Sequence, residues 1–249
     1  MSLARAALVA VVALVACGDI DRQEPLAVRG AALARDRSIA RSNYNVYACT
    51  TCHVERARDA GERLFPGAPL EGAARRPSFW NGEVLHLREA VERCWVDFMR
   101  GDPRDLEGDT GDALDAWLLS LAPAGATTGT AAVRMSWPRV AVDLGSGGDR
   151  VMGQRVWARA CARCHGALDT GAGRLGNLIS VVPRDTVREH CDDELPAGTV
   201  DYNVYIRGVA VEKTRHGSYL GYAGVMPPFS TEVLSDDDLR HLTAFFTCP

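Results

Sequence analysis

Apolar residues recur at helical spacing in several segments of the chain. They fall three or four positions apart, so that each segment would present one apolar face. In the segment 87–101, for example, Leu87, Val91, Trp95 and Phe98 share such a face. The other segments with this pattern are 114–121, 149–160 and 235–246. The pattern predicts an all-α fold.

The positions of these helices divide the chain into two small helical domains. The helix at 114–121 ends before Pro123, and an Ala/Gly/Thr-rich stretch follows it. We therefore predict an N-terminal domain at 41–123, a linker at 124–148 and a C-terminal domain at 149–249. Gly153 is the expected point of close helix contact. Ser235, with Asp238 three residues later, predicts the capped start of the last helix.

The N-terminus has the pattern of an export signal. Arg5 precedes eleven apolar residues, and Leu14-Val15-Ala16-Cys17 resembles a bacterial lipobox. We predict a signal peptide at 1–16, lipidation of Cys17 and a tether at 17–40, with an ordinary signal peptide cut nearby as the alternative. The expected location is the periplasmic side of a bacterial membrane, with the lipid as the membrane anchor.

Composition narrows the classes of partner. The chain has 249 residues, 47% hydrophobic and 24% charged, with a formal net charge of −4. This is the composition of a globular protein. Without a strongly basic balance, we expect no nucleic-acid partner. The chain also contains eight cysteines, and their positions carry most of the chemistry.

Two copies of C-x-x-C-H predict two covalently bound c-type haems. Cys49 and Cys52 precede His53, and Cys161 and Cys164 precede His165. Two thiols at this spacing can each form a thioether with one vinyl group of haem, and the next residue is an imidazole ligand for the iron. A redox dithiol does not require the histidine, and the 112-residue separation of the motifs argues against a shared zinc site.

Met226 is the predicted second axial ligand of the C-terminal haem. It lies 61 residues after His165 and is followed by two prolines, a context that favours a rigid loop over a helix. A thioether is a common partner of histidine in electron-transfer haems. Core packing is the alternative role for Met226, and Lys213, in the predicted loop before it, is an alternative ligand.

With these motifs, residues 149–249 resemble a class I cytochrome c. The resemblance includes the first helix, the C-x-x-C-H motif, the Tyr205-Ile-Arg-Gly segment, Met226 and the last helix. It implies that the first and last helices cross while two side chains hold the iron. The polar stretch 183–200 departs from the family and is expected to be an inserted loop.

The N-terminal half has two candidate second ligands. Cys94 and Met99 lie on one predicted helix, and at about 100° per residue they are about 140° apart, on opposite edges of its apolar stripe. They cannot both reach the same iron, and this geometry does not choose between them. His86 is a weaker candidate.

The cysteine count and a second resemblance favour Cys94. Apart from the anchor and the four haem thiols, Cys94, Cys191 and Cys248 remain. Cys191–Cys248 is a candidate disulfide, which leaves Cys94 free in an oxidising compartment. Residues 49–121 contain Pro69-Leu-Glu-Gly, the segment Leu87 through Cys94, C-x4-M-x-G at Cys94–Gly101 and Ala113-Leu-x-Ala-Trp-Leu. With these motifs they are similar to the haem-thiolate cytochromes of sulfur oxidation, which include the thiosulfate dehydrogenases. That resemblance implies that Cys94 and His53 are the axial pair.

These features predict an electron carrier. A thiolate lowers the potential of a haem and a thioether raises it. With Cys94 as the ligand, electrons would pass from the first domain to the second and between redox partner proteins. With Met99 as the ligand, the two potentials would be closer. The alternative, implied by the second resemblance, is oxidation of thiosulfate or a related anion at the first haem. A haem-based sensor is a third class, but no output domain is evident. Cations available near the first haem for such an anion are Arg75, Arg76, Arg88 and Arg93.

Overall fold

The computed structural model describes residues 24–43, 46–127, 129, 133–138, 143–182, 202–217 and 224–247. The described part of the chain is all-α: it contains no strand, and one isolated bridge pairs Phe79 with Val84. The α-helices, numbered α1 to α8 in chain order, are Leu26–Arg35, Cys49–Cys52, Leu87–Arg93, Asp109–Ser120, Arg150–Val156, Ala162–His165, Tyr202–His216 and Asp236–Phe246. Two π-helical turns, Cys94–Phe98 and Trp157–Cys161, continue α3 and α5.

Two pairs of helices cross at glycines. A Cβ at Gly30 of α1 would lie 1.9 Å from the carbonyl oxygen of Ala113 in α4. A Cβ at Gly153 of α5 would lie 2.0 Å from the carbonyl oxygen of His241 in α8. Both crossings therefore require glycine, because any side chain would collide with the facing backbone. The predicted close contact at Gly153 is confirmed.

Helix α1 differs from the sequence prediction, which placed 17–40 in a tether. Its residues Gly30 and Ala34 are buried, and the helix packs along α4. The prediction missed α1 because its buried residues are small and its remaining positions are polar enough to suggest a solvated segment. The helix forms because α4 supplies the apolar partner surface.

Two hydrophobic clusters make up the core. The first is built around Trp95, Leu114 and Trp117, and also takes in Ile179 from the second half of the chain. The second is built around Val156, Leu239 and Leu242. The start of α8 is capped as predicted, since Ser235 and Asp238 form a reciprocal capping box.

Some predictions concern residues outside the described part of the chain. These are the signal peptide at 1–16, the lipidated Cys17, the Cys191–Cys248 pair and the inserted loop at 183–200. Among the described residues, none of the helices combines the length and the apolar character needed to cross a bilayer.

Candidate haem-binding sites

The first C-x-x-C-H motif lies in the wall of a cavity. Helix α2 is the motif itself, and Cys49, Cys52 and His53 all line a cavity of about 480 Å³. Burial raises the pKa of the Cys49 thiol to about 11. Burial, followed by the neighbouring thiols of Cys164, Cys94 and Cys49, raises the pKa of Cys52 above its usual range. The cavity wall thus presents two neutral thiols three residues apart.

His53 is held by the backbone of the segment that follows it. Its Nδ1 atom lies 2.7 Å from the carbonyl oxygen of Ala68, to which it donates as the neutral tautomer with hydrogen on Nδ1. Metal-binding histidines use this hydrogen bond to orient the ring, which leaves Nε2 as the coordinating atom. Burial lowers the pKa of His53, which favours the neutral, ligating form. Gly67 packs against the ring so closely that a Cβ would lie 2.3 Å from its Cε1 atom.

Cys94 and Met99 both line this cavity, and the turn between them is not the ideal α-helix from which their separation of about 140° was predicted. The residues from Cys94 to Phe98 form a π-helical turn, in which the Met99 amide donates to the Cys94 carbonyl at 3.1 Å. An i→i+5 hydrogen bond widens the turn and brings position i+5 back towards position i. Burial, then the Cys49 thiol and Asp97, raises the pKa of Cys94 to about 12.

Met135 also lines the cavity, as a third candidate for the second ligand beside Cys94 and Met99, and sequence analysis missed it. It belongs to residues 133–138, here called the strap, five of which line the cavity. The Sδ atom of Met135 lies 3.7 Å from Oγ of buried Ser230, which donates to it. No local motif marks Met135, since only the fold brings the strap to this site.

Hydrogen bonds attach the strap to the C-terminal half. Ser136 donates to the Glu232 carboxylate from its amide at 2.7 Å and from its hydroxyl at 2.6 Å. Its carbonyl accepts from the Thr231 amide at 3.0 Å. The Trp137 ring stacks on Trp80, which stacks on Phe98. The strap and these three rings form an aromatic wall of the cavity.

Arg76 is the one of the four candidate arginines that lines the cavity. Its guanidinium donates to the Pro69 carbonyl, and its buried Nε atom has no hydrogen-bond partner in the described structure. Burial lowers the pKa of Arg76 to about 10. Arg88 instead pairs with Asp112 and Asp115.

The remaining candidates lie away from the cavity. Arg93 pairs with Glu83. Neither Arg75 nor His86 lines the cavity, and His86 is exposed.

These residues fit a covalently attached haem. The cavity offers two thiols, an imidazole held by its Nδ1 atom, further sulfur side chains and a partly buried cation that a propionate could neutralise. The chemistry of this donor set is that of a c-type haem site. The axial roles of His53 and Cys94 stay predictions.

The second motif has a similar arrangement at its histidine. The π-helical turn Trp157–Cys161 leads into α6, which ends at His165. The Nδ1 atom of His165 lies 2.9 Å from the Ser180 carbonyl oxygen. Burial lowers the pKa of His165, and its ring centroid lies 5.9 Å from that of Trp157.

Met226 packs against the cluster that contains Cys161 and Trp157. The backbone of Gly217, which has a φ of 53°, lies close to the backbone of Met226. A Cβ at Gly217 would lie 2.2 Å from the Met226 carbonyl oxygen. Lys213 lies within α7, not in a loop as expected. The ligand roles of His165 and Met226 stay predictions.

Residues 151–246 match the family model of cytochrome c oxidase, cbb3-type, subunit III. The match spans the second C-x-x-C-H motif, His165 and Met226. The C-terminal region contains a cytochrome c domain. A cytochrome c domain in this region supports a c-type haem at the second C-x-x-C-H motif.

A solved structure of thiosulfate dehydrogenase (TsdBA) from Marichromatium purpuratum, in its as-isolated form, is similar to this chain at 20% identity, with a TM-score of 0.41. The alignment covers 89% of this chain and 45% of that one, so the chain spans less than half of that protein. No curated protein matches the chain.

Proposed function

We propose that the protein is an exported, lipid-anchored dihaem cytochrome c that transfers electrons between redox partner proteins on the periplasmic side of a bacterial membrane. The observation that carries this proposal is the equivalence of two histidines. His53 and His165 each end a C-x-x-C-H motif, and each has its Nδ1 atom on a backbone carbonyl fifteen residues later, at Ala68 and Ser180. The same histidine arrangement supports the same cofactor in both halves.

The cofactor supplies one-electron chemistry at iron when it is bound. The protein's own residues bind and shield it. Ala68 fixes the orientation of the His53 ring, and Gly67 gives that ring room against the backbone. The aromatic wall of Trp80, Phe98 and Trp137 limits access of water from the strap side. A haem held by His53 and shielded by these residues would be suited to electron transfer.

Haem content tests the number of sites. The purified full-length protein is expected to carry two covalent haems per chain by pyridine haemochrome assay and intact mass. A Cys49→Ser/Cys52→Ser variant and a Cys161→Ser/Cys164→Ser variant should each retain one. A wild-type chain with a single haem would contradict the dihaem assignment.

The anchor has its own test. Mass spectrometry of the mature protein is expected to find acyl chains on Cys17 at the new N-terminus. A Cys17→Ser variant should lose the acyl groups and leave the membrane fraction while keeping its haems. An unacylated N-terminus at another position would support an ordinary signal peptide instead.

Arg76 gives a specific reason to keep a second candidate function, the oxidation of thiosulfate or a related sulfur anion at the first haem. A partly buried guanidinium, whose Nε atom has no hydrogen-bond partner, lines the cavity with Cys94 and could attract an anion to this site. Turnover with thiosulfate and an electron acceptor, weakened in Arg76→Gln but not in Arg93→Gln, would support it. Arg93 is the matched control because it pairs with Glu83 outside the cavity. No haem reduction from acidic to neutral pH would remove this candidate.

A further inference from the structure

The two C-x-x-C-H motifs contact each other directly. Arg163, inside the second motif, donates from Nη2 to the carbonyl oxygen of Thr50, inside the first, at 3.1 Å. Two further hydrogen bonds join residues 62–64 to Arg159. The Leu64 amide donates to the Arg159 carbonyl at 3.0 Å, and Nε of Arg159 donates to the Glu62 carbonyl at 2.7 Å. These three hydrogen bonds hold the two attachment segments side by side.

A second set of hydrogen bonds links the backbone at Cys164 with the backbone at Val46, the residue before Tyr47. The Arg37 guanidinium donates to the Val46 carbonyl at 3.1 Å and to the Leu175 carbonyl at 2.7 Å. The Leu175 amide in turn donates to the Cys164 carbonyl at 2.9 Å. Arg37 therefore holds the backbone around Tyr47 next to the backbone around Cys164.

Tyr47 is buried next to both attachment motifs. It is 4% exposed, it lines the first cavity, and it belongs to the hydrophobic cluster against which Cys49 and Cys164 pack. Tyr47 thus lies at the first cavity and in the same cluster as one cysteine of each attachment motif.

The phenol of Tyr47 is neutral in this position. Burial, followed by the nearby thiols of Cys164 and Cys52, raises the pKa of Tyr47 far above its usual range. The phenol therefore keeps its proton, and the neutral side chain adds no charge beside the two motifs.

We propose that the contact between the two attachment motifs is the path for electron transfer between the haems, and that Tyr47 is the residue that positions it. This inference rests on the proposed function, since it requires two haems. One electron leaves ferrous iron at one site and reduces ferric iron at the other. No bond forms or breaks and no proton moves. The initial donor and the final acceptor are redox partner proteins.

The inter-haem rate tests this path. In full-length dihaem protein, one haem is reduced rapidly by a pulse of reductant, and re-equilibration with the other is followed by absorbance. Tyr47→Leu is expected to slow re-equilibration several-fold, while Tyr47→Phe, which keeps the ring, stays close to wild type. Tyr205→Leu is the matched control, because Tyr205 is 59% exposed on α7. Both midpoint potentials are measured for every variant, so that rates are compared at matched driving force.

A second variant keeps the proposal testable if Tyr47→Leu fails to load both haems. Arg163 is exposed, so Arg163→Ala removes the cross-motif hydrogen bond without opening the core. It is expected to slow re-equilibration, whereas Arg155→Ala, a change at an exposed arginine of α5, is not. An unchanged inter-haem rate in Arg163→Ala or in dihaem Tyr47→Leu overturns the proposed path. A wild-type chain with only one haem overturns the proposed function instead.

Discussion

The Nη2 atom of Arg215 lies 2.7 Å from Oδ1 of Asp236, which joins α7 to the first residue of α8. Arg215 is 2% exposed, and its Nη1 atom also donates to the carbonyls of Phe229, Ser230 and Leu234. A buried guanidinium therefore organises the loop that leads away from Met226.

Removal of this guanidinium is expected to destabilise the cytochrome c domain strongly. Arg215→Met leaves three buried carbonyls without their donor, which we expect to cost about 3–5 kcal/mol of unfolding free energy. Arg215→Lys keeps the charge but not the fork of donors, so its loss should be smaller. Urea unfolding of the haem-loaded protein measures both variants. Equal stability of Arg215→Met and wild type would show that the loop does not depend on Arg215.

The crossing of α5 and α8 predicts a strong preference for glycine at position 153. In Gly153→Ala, the new Cβ would meet the His241 carbonyl at 2.0 Å, so the helices must separate. We expect a loss of about 1–3 kcal/mol, read from the thermal unfolding midpoint. Gly147→Ala is the matched control, because the nearest atom to a Cβ there is 3.9 Å away. A similar effect of both substitutions would argue against helix contact as the cause.

The attachment of the strap predicts a pH dependence of stability. Burial opposes ionisation of Glu232, but hydrogen bonds from Ser136 outweigh it and lower the pKa of Glu232 from 4.5 to about 2. A lowered pKa in the folded state means that the ionised carboxylate stabilises the fold above pH 4.5, and that this contribution is lost as the pH falls towards 2.

Glu232→Gln should therefore be less stable than wild type at neutral pH, by roughly 1 kcal/mol because the side chain is partly exposed. The difference should shrink as the pH falls from 4.5 to 2. Thermal unfolding of the two proteins across this range measures it, since all other titrating groups are shared. Ser136→Ala and the double variant complete a mutant cycle. A difference that is constant with pH would contradict the role of the charge.

Local patterns were enough to predict some elements. The capping box of Ser235 and Asp238 depends on residues three positions apart, and the helix contact at Gly153 depends on one small residue. The sequence alone therefore predicts both correctly. The C-x-x-C-H motifs are equally local, because each one brings both thiols and the histidine together within a single short segment.

Features that depend on distant residues were missed. Helix α1 is stable because of α4, and Met135 lies at the cavity because Ser136 bonds to Glu232 ninety-six residues away. The predicted separation of Cys94 and Met99 assumed ideal α-helical geometry, whereas the turn after Cys94 is π-helical.

The second axial ligand of the first haem has three candidates, because the side chains of Cys94, Met99 and Met135 all line the cavity. We expect the ligand to be Cys94, for two reasons. Cys94 is the cysteine that the predicted anchor, haem attachments and disulfide leave unassigned, and residues 49–121 resemble the haem-thiolate cytochromes. Low-temperature EPR of the oxidised protein should show a low-spin thiolate signal that Cys94→Ala abolishes. The midpoint potential of the first haem should rise in the same variant, because the electron-donating thiolate is lost.

Two variants are the matched controls for this assignment. Met99→Leu and Met135→Leu replace each thioether with a side chain of similar volume, at a cost of less than about 1.5 kcal/mol, and should leave the thiolate signal intact. A thiolate signal that survives Cys94→Ala would overturn the assignment. A ligand change in Met135→Leu would instead identify the strap as the source of the ligand. The first haem would then be held by a residue whose position depends on the C-terminal half of the chain, and its potential would change with Glu232→Gln.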